Sequence, residues 1–430
     1  MKSKKILVWF RNDLRLHDNE MLVEAIAKSD CILPIYFFDP RHFESTSFET
    51  EKTGARRAQF LLESVSSLRT AFQKLGGDIL LIQGKPEEHI PAIVEQLEIS
   101  EVYHHREVGP EETIISTYVE DALWKQRINL KHFIGHTLYN KEDLPFPIKD
   151  IPDVFTQFKK KTERDAIVKS CHESPLEIDF VENENWGALP SLLELGFAEA
   201  GFVNFDDEAK GGELDGLEHL TKLLEPGSDI YIKYSSKVAA DKQGFSSRIS
   251  GWLSFGCLSP RKVYWMVKEA EASFGANPNF NQILLGLLWR DYFRFMFKKH
   301  GIKFFQEPDF EELILSPVEV DETLVKKWKD GETGHLLVDK YMKELNDSGF
   351  IPHAGRLVVA TFLIHVLKIH WTIGAAYFEE KLVDYAPASN WGNWANVAGA
   401  GLDLKSKNTF DLDKQMKILD VVSPDAASLV

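Results

Sequence analysis

The chain has 430 residues, 44% of them hydrophobic and 27% charged, with a formal net charge of −16. That length exceeds one ordinary core and predicts two domains of a globular protein. The acidic balance excludes indiscriminate coating of nucleic acid but leaves room for a local basic groove.

Cys31, Cys171 and Cys257 lie far apart and form no ligand pattern. No metal site is expected, and reduced thiols fit a cytoplasmic setting. The run Ile6–Phe10 is too short for a signal peptide and Arg11 follows it at once, so it reads as a first strand. No apolar run reaches membrane-spanning length.

Residues 1–135 alternate short apolar runs with amphipathic stretches. Strands are predicted at Lys5–Phe10, Cys31–Phe38, Asp78–Gln83, Glu101–His105 and Leu130–Ile134. Helices are predicted at Glu20–Lys28, Gly54–Leu75, Glu87–Leu97 and Glu112–Gln126. In the second of these, Phe60, Leu61, Val65, Leu68 and Phe72 recur at helical spacing. The alternation predicts an α/β, doubly wound parallel sheet of Rossmann-like type. No Gly-x-Gly-x-x-Gly follows the first strand, which disfavours a nicotinamide dinucleotide site.

Residues 136–205 read as a connector, because Leu144–Pro147 and Ile151-Pro152 break regular helix. The basic run Phe158–Arg164 within it reads as a solvated helix face. Residues 206–430 read as an all-α domain. Its predicted helices are Pro260–Ser273, Phe280–His300, Asp321–Lys329, His335–Asn346, Gly355–Leu367 and Ile373–Val383. The run Asp384–Gly401, rich in Trp, Asn and Gly, reads as a loop after the last of them. It serves either as a tryptophan packing corner or as the floor for a flat, polar ligand.

Other stretches also carry two readings. On the helix Phe280–His300, Arg290 and Arg294 sit one turn apart beside the stripe Trp289, Phe293, Phe297. That pattern is either a core helix with a solvated basic edge or a cavity wall offering phosphate contacts and a stacking face. Gly244–Ser250 is either an ordinary Ser-rich loop or an anion nest. Trp328, Trp371 and Trp394 fall on three predicted elements, and spacing alone leaves them as independent core residues.

Taken in order, residues 8–19 (VWFRNDLRLHDN), 57–64 (RAQFLLES), 84–88 (GKPEE), 143–147 (DLPFP), 256–261 (GCLSPR), 288–294 (LWRDYFR) and 389–394 (SNWGNW) resemble the photolyase/cryptochrome family, and most of all its cryptochrome DASH branch. The resemblance implies FAD bound in the helical domain. Tyr234, Ser246, Ser247, Arg248, Ile249 and Ser250 would hold its phosphates and ribityl chain. Arg356 and Asp384 would form the ion pair beside the ring, and Asn390 would face the ring nitrogen N5. Trp394, Trp371 and Trp328, from flavin to surface, would carry electrons. Glu107, with Lys303 as a weaker neighbour, would hold an antenna methenyltetrahydrofolate. Trp289, Arg290, Arg294 and Gln415 would line the cavity or touch UV-damaged DNA, preferentially single-stranded. A monomer is expected.

Four departures from the family pattern fall at the chemistry. Gly286 replaces a Glu that hydrogen-bonds the lesion, a loss of about 1.5–3 kcal/mol. Ala386 replaces an Asp, His353-Ala354 replaces Asn-Arg, and Asn396 replaces an aromatic. His353 is either a proton donor or a neutral substitution. The further helices that the resemblance implies beyond Gln415 are absent from residues 416–430. Two functions follow: light-driven repair of cyclobutane pyrimidine dimers, or photosensing by flavin photoreduction with little repair. A flavin-poor binding relic is a third.

Overall fold

The computed structural model describes residues 3–198, 209–231, 246–305, 310–315, 318–401, 414 and 416–418. Five strands, β1 (Lys5–Phe10), β2 (Cys31–Phe38), β3 (Leu80–Gln83), β4 (Glu101–His105) and β5 (Asn129–Phe133), form one parallel sheet in the order β3-β2-β1-β4-β5. Four helices cross between them: α1 (Glu20–Lys28), α2 (Ala55–Lys74), α3 (Pro86–Gln96) and α4 (Pro110–Lys125). Side chains alternate across a strand, so β1 feeds two cores. Ile6, Val8 and Phe10 enter the large core that continues into the helical domain. Leu7 and Trp9 enter a smaller one with Ile90, Val94, Ile115 and Val119 of α3 and α4.

Residues 166–198 are irregular, and the regular elements beyond the sheet are helices: α5 (Phe155–Asp165), α6 (Glu213–Leu224), α7 (Ser250–Ser254), α8 (Pro260–Phe274), α9 (Pro278–His300), α10 (Phe310–Leu315), α11 (Glu322–Asp330), α12 (Leu336–Ser348), α13 (His353–Thr361), α14 (Trp371–Lys381) and α15 (Pro387–Ala398). The basic run expected as a solvated face is one: α5 buries Phe155, Phe158 and Thr162 and turns Lys160, Lys161 and Arg164 outward. The helix expected at Gly355–Leu367 ends at Thr361 and continues as a π-helical turn, Phe362–Val366.

The run expected as a loop, Asp384–Gly401, is mostly helix α15. Pro387 opens it at the first helical position and Gly399, at φ +72°, closes it. Its small residues allow close packing, which outweighs their weak helix propensity. A Cβ at Gly392 would meet the Phe293 ring at 2.4 Å.

The segment after β1 locks the two domains together. Arg15, fully buried, donates to the carbonyls of His17, Asp18, Gly135 and Gly256. Asp18 takes both arms of Arg261, at 2.7 and 3.0 Å, and His17 meets Glu213 at 2.5 Å. Gly256, at φ +66°, lets the chains approach: a Cβ there would lie 1.9 Å from the Asn12 carbonyl.

Candidate functional site

A narrow cavity opens between α13 and α15, lined by His353, Arg356, Asp384, Ala386, Asn390 and Trp394. Arg356 donates to Asp384 Oδ2 at 2.7 Å. The other oxygen, Oδ1, is buried without a donor. Buried polar atoms are normally paired, so this one marks a place where a ligand N–H fits. Asn390, 7% exposed, donates its amide to the Ala375 carbonyl at 2.9 Å, which leaves its own oxygen free to accept. Trp394 packs edge-on to α14, where only glycine fits: a Cβ at Gly374 would meet the indole at 2.2 Å. An acceptor carboxylate, an amide and an indole around one cavity suit a flat heterocycle with N–H and C=O edges.

His353 stands at the open edge of this cavity. Its ring is exposed to solvent, so the lowering of its pKa by surrounding protein, and then by the Arg356 charge, is partly screened by water.

Of the three tryptophans expected to run from flavin to surface, the last is not at the surface. Trp328, expected at the surface end, is 0% exposed, and its ring lies 6.2 Å from that of Trp394. Trp371 packs against Trp391 at 5.8 Å and against Phe310 at 5.9 Å.

The arginines expected to reach phosphates are occupied inside the protein. Arg290 donates to the carbonyls of His136 and Leu253, at 2.8 and 2.7 Å. Arg294 pairs with Glu107 at 2.7 Å. Their helix turns this edge toward the sheet domain, not toward solvent. Trp289 stacks on Phe155 with ring centroids 3.5 Å apart and has Phe293 at 5.5 Å on the same helix.

Glu107, expected to hold an antenna chromophore, is likewise engaged. Besides Arg294 it meets Asn12 at 3.3 Å and His136 at 3.2 Å. Burial disfavours its charge and keeps His136 neutral, but the Arg294 guanidinium outweighs that burial and holds the Glu107 carboxyl below the ordinary range. The cavity between the domains lies elsewhere, about 550 Å3 in volume, and Arg11, Arg57, Glu111, Glu112, Tyr385 and Trp391 line it. Burial and then the Glu107 charge push the Glu112 carboxyl up to about 7. The Arg57 guanidinium sits over the Tyr385 ring, 4.6 Å from its centroid. Arg11, Arg57, Glu111, Glu112 and Tyr385 were missed in the sequence as members of a site. Arg57 carried a legible signal, a charge on the same helical stripe as Leu61 and Val65, where only a paired arginine is tolerated. Lys303 is exposed, in a short 3-10 turn after α9.

Of the expected phosphate-binding turn, Ser246 and Arg248 are exposed, Ser247 and Ser250 half-buried and Ile249 buried. Arg248 has φ +52°, the left-handed geometry of a tight turn, just before α7. His219 donates to the Ser247 carbonyl at 2.9 Å. Tyr234 and Gln415 lie outside the described residues.

Comparison with known proteins gives these residues a context. Residues 6–176 match the DNA photolyase family and residues 283–423 match the FAD binding domain of DNA photolyase. A cryptochrome DASH of Gloeobacter violaceus is 39% identical over 99% of this chain and 85% of its own length. The chloroplastic/mitochondrial cryptochrome DASH of Arabidopsis thaliana is 36% identical over 96% of this chain and 73% of its own. The crystal structure of a Synechocystis cryptochrome superposes with a TM-score of 0.86 at 36% identity, over 100% of this chain and 91% of that one.

Proposed function

We propose that this chain, which belongs to the cryptochrome DASH branch of the photolyase family and carries its FAD-binding domain, is a blue-light flavoprotein that reduces its bound FAD through Trp394. The observation that carries the reading is Asp384: a buried carboxylate held by Arg356, with Oδ1 left for a donor beside Asn390. Asp384 would accept from the ring, Asn390 would face N5, and the turn from Ser246 to Ser250 would meet the phosphates. Bound FAD supplies a one-electron acceptor when it absorbs light. Trp394, 3% exposed on the cavity wall, supplies the electron from a site that excludes water.

The test is illumination of the purified holoprotein. FAD should be photoreduced in the wild type and not in Trp394→Phe. Equal photoreduction in both removes Trp394 from its role.

Repair of cyclobutane pyrimidine dimers, preferentially in single-stranded DNA, is the second reading, supported by the photolyase domain matched at residues 6–176. The stack of Phe155 on Trp289 weighs against efficient repair, because a flipped lesion would have to displace Phe155 to use that ring. Gly286 adds no acceptor there. Loss of dimers from a UV-damaged oligonucleotide under blue light decides it. No helix among the described residues is long and apolar enough to cross a membrane. The three unpaired cysteines support a reducing, cytoplasmic setting, and we infer a monomer. Folate as antenna would use the cavity between the domains.

A further inference from the structure

We propose that Trp391 is the exit of the electron chain that runs from Trp394 through Trp371, and that the Glu379 carboxylate takes the indole proton when Trp391 is oxidised. The proposal rests on the reading that FAD binds beside Trp394.

Trp394 presses on α14 at Gly374, one helical turn after Trp371. An electron lost from Trp394 is replaced from Trp371 over that turn, and Trp371 is itself 3% exposed. Among the described residues, the rings against Trp371 are Phe305 at 5.7 Å, Trp391 at 5.8 Å, Phe310 at 5.9 Å and His370 at 6.0 Å. A phenyl ring and an imidazole are harder to oxidise than an indole, so Trp391 is the ring in that group that refills Trp371. Trp328 offers no exit. It touches Trp394, is fully buried, and its Nε1–H donates to the Val359 carbonyl, which is no base.

Trp391 has the base that Trp328 lacks. Its Nε1–H is shared between Glu379 Oε2 at 3.3 Å and the Tyr385 hydroxyl oxygen at 3.2 Å. The Tyr385 hydroxyl bonds the same carboxylate. An indole radical cation is a strong acid, and a carboxylate at hydrogen-bond distance is placed to receive its proton. Burial disfavours the Glu379 charge and raises its pKa, which makes the group a better proton acceptor. The Arg57 charge and the Tyr385 and Trp391 donors favour the carboxylate form, and Glu111 is the acidic neighbour. Trp391 is half-buried, and with Glu379 it lines the cavity between the domains, so a small reductant that enters the cavity meets the indole there.

The step balances as one electron from Trp391 to the Trp371 radical cation and one proton from Trp391 Nε1 to the Glu379 carboxylate. Neutral Trp371, a neutral Trp391 radical and a protonated Glu379 remain. A thiol in the cavity restores the indole by giving a hydrogen atom, and Glu379 returns its proton to water. Recombination before that must bring an electron and a proton back together, which slows it.

The experiment is flash illumination of the FAD-loaded protein without added reductant. Transient absorption separates the neutral from the cationic indole radical, and paramagnetic resonance identifies the trapped one. The wild type should trap a neutral indole radical, formed more slowly in D2O. Trp391→Phe should bind FAD, lose that radical and return its charge faster. Glu379→Gln keeps an acceptor for the indole N–H but no base, so its radical should stay cationic and decay faster. Trp371→Phe should also lose the trapped radical. The proposal is overturned if Trp391→Phe or Trp371→Phe keeps the long-lived radical, if Glu379→Gln still yields the neutral form, or if the trapped wild-type radical is not an indole. A wild type that takes up no FAD, or a Trp394→Phe variant that photoreduces like it, overturns the underlying reading instead. Normal photoreduction with unchanged radical decay in Trp391→Phe overturns this step alone.

Discussion

Replacing Ala386 by Asp should stabilise the protein before any ligand is considered. Ala386 is the N-cap of α15, with φ −140° and ψ 122°, and no side chain caps the helix. Its carbonyl already accepts from Asn390 N–H at 2.9 Å, so the backbone is set for capping and lacks only an acceptor for Ala388 or Ser389. Supplying one is worth about 1 kcal/mol. The negative charge at a helix N-terminus adds about 0.3–1 kcal/mol. Asp384, two residues away, subtracts some of this by repulsion. A net gain of about 1 kcal/mol would raise the melting temperature of the helical domain by about 2–4 °C. Thermal melts of the apo and FAD-loaded protein measure it, with Ala386→Ser as the uncharged cap. If both variants rise and added salt trims only the Asp gain, capping and dipole are both confirmed. If neither rises, the N-cap reasoning is wrong. The second carboxylate oxygen would face the cavity, where a charge-assisted hydrogen bond of about 1.5–3 kcal/mol tightens FAD by about tenfold to a hundredfold. Binding titrations separate that effect from the melt of the apoprotein.

Glu107→Gln should cost about 3 kcal/mol by leaving Arg294 buried and unpaired, read by chemical denaturation. The folded carboxyl titrates below its unfolded value, so the pair contributes fully above about pH 4.3 and fades as pH falls through the lower folded value. The wild type should therefore lose stability on acidification more steeply than the variant, and parallel acid curves would refute the pairing. Gly286→Glu should fold normally, because a Cβ there meets nothing within 4 Å, and should gain about 0.5–1 kcal/mol from removing a helical glycine. Combined with Ala386→Asp it should raise dimer repair, and unchanged repair in the double variant would show that these two positions are not what limits it.

Sequence periodicity carried most of the fold. The strands of the sheet and helices such as α2, α9 and α12 lie within two residues of their expected bounds, because the strands are short apolar runs bounded by turns and the helices repeat apolar residues at helical spacing. Helix α15 was not visible, since Gly, Asn and Pro read as loop when packing against Phe293 is left out. The cavity was partly legible: Arg356, Asp384, Asn390 and Trp394 do converge. Arg290, Arg294 and Glu107 carry the charges expected of binding groups, yet they satisfy one another or backbone carbonyls across the domain seam. A side chain's partner lies across space, and residue type alone does not name it.

By itself, then, the sequence determined a parallel α/β sheet joined to a helical domain, and the residue types around the cavity. Tertiary structure alone decided which groups are free to act. Helices that cross bring Trp328 to Trp394 and Tyr377 to Trp328, across 66 and 49 positions of chain. No local pattern encodes such distances, because contact between helices depends on the faces they bury against each other.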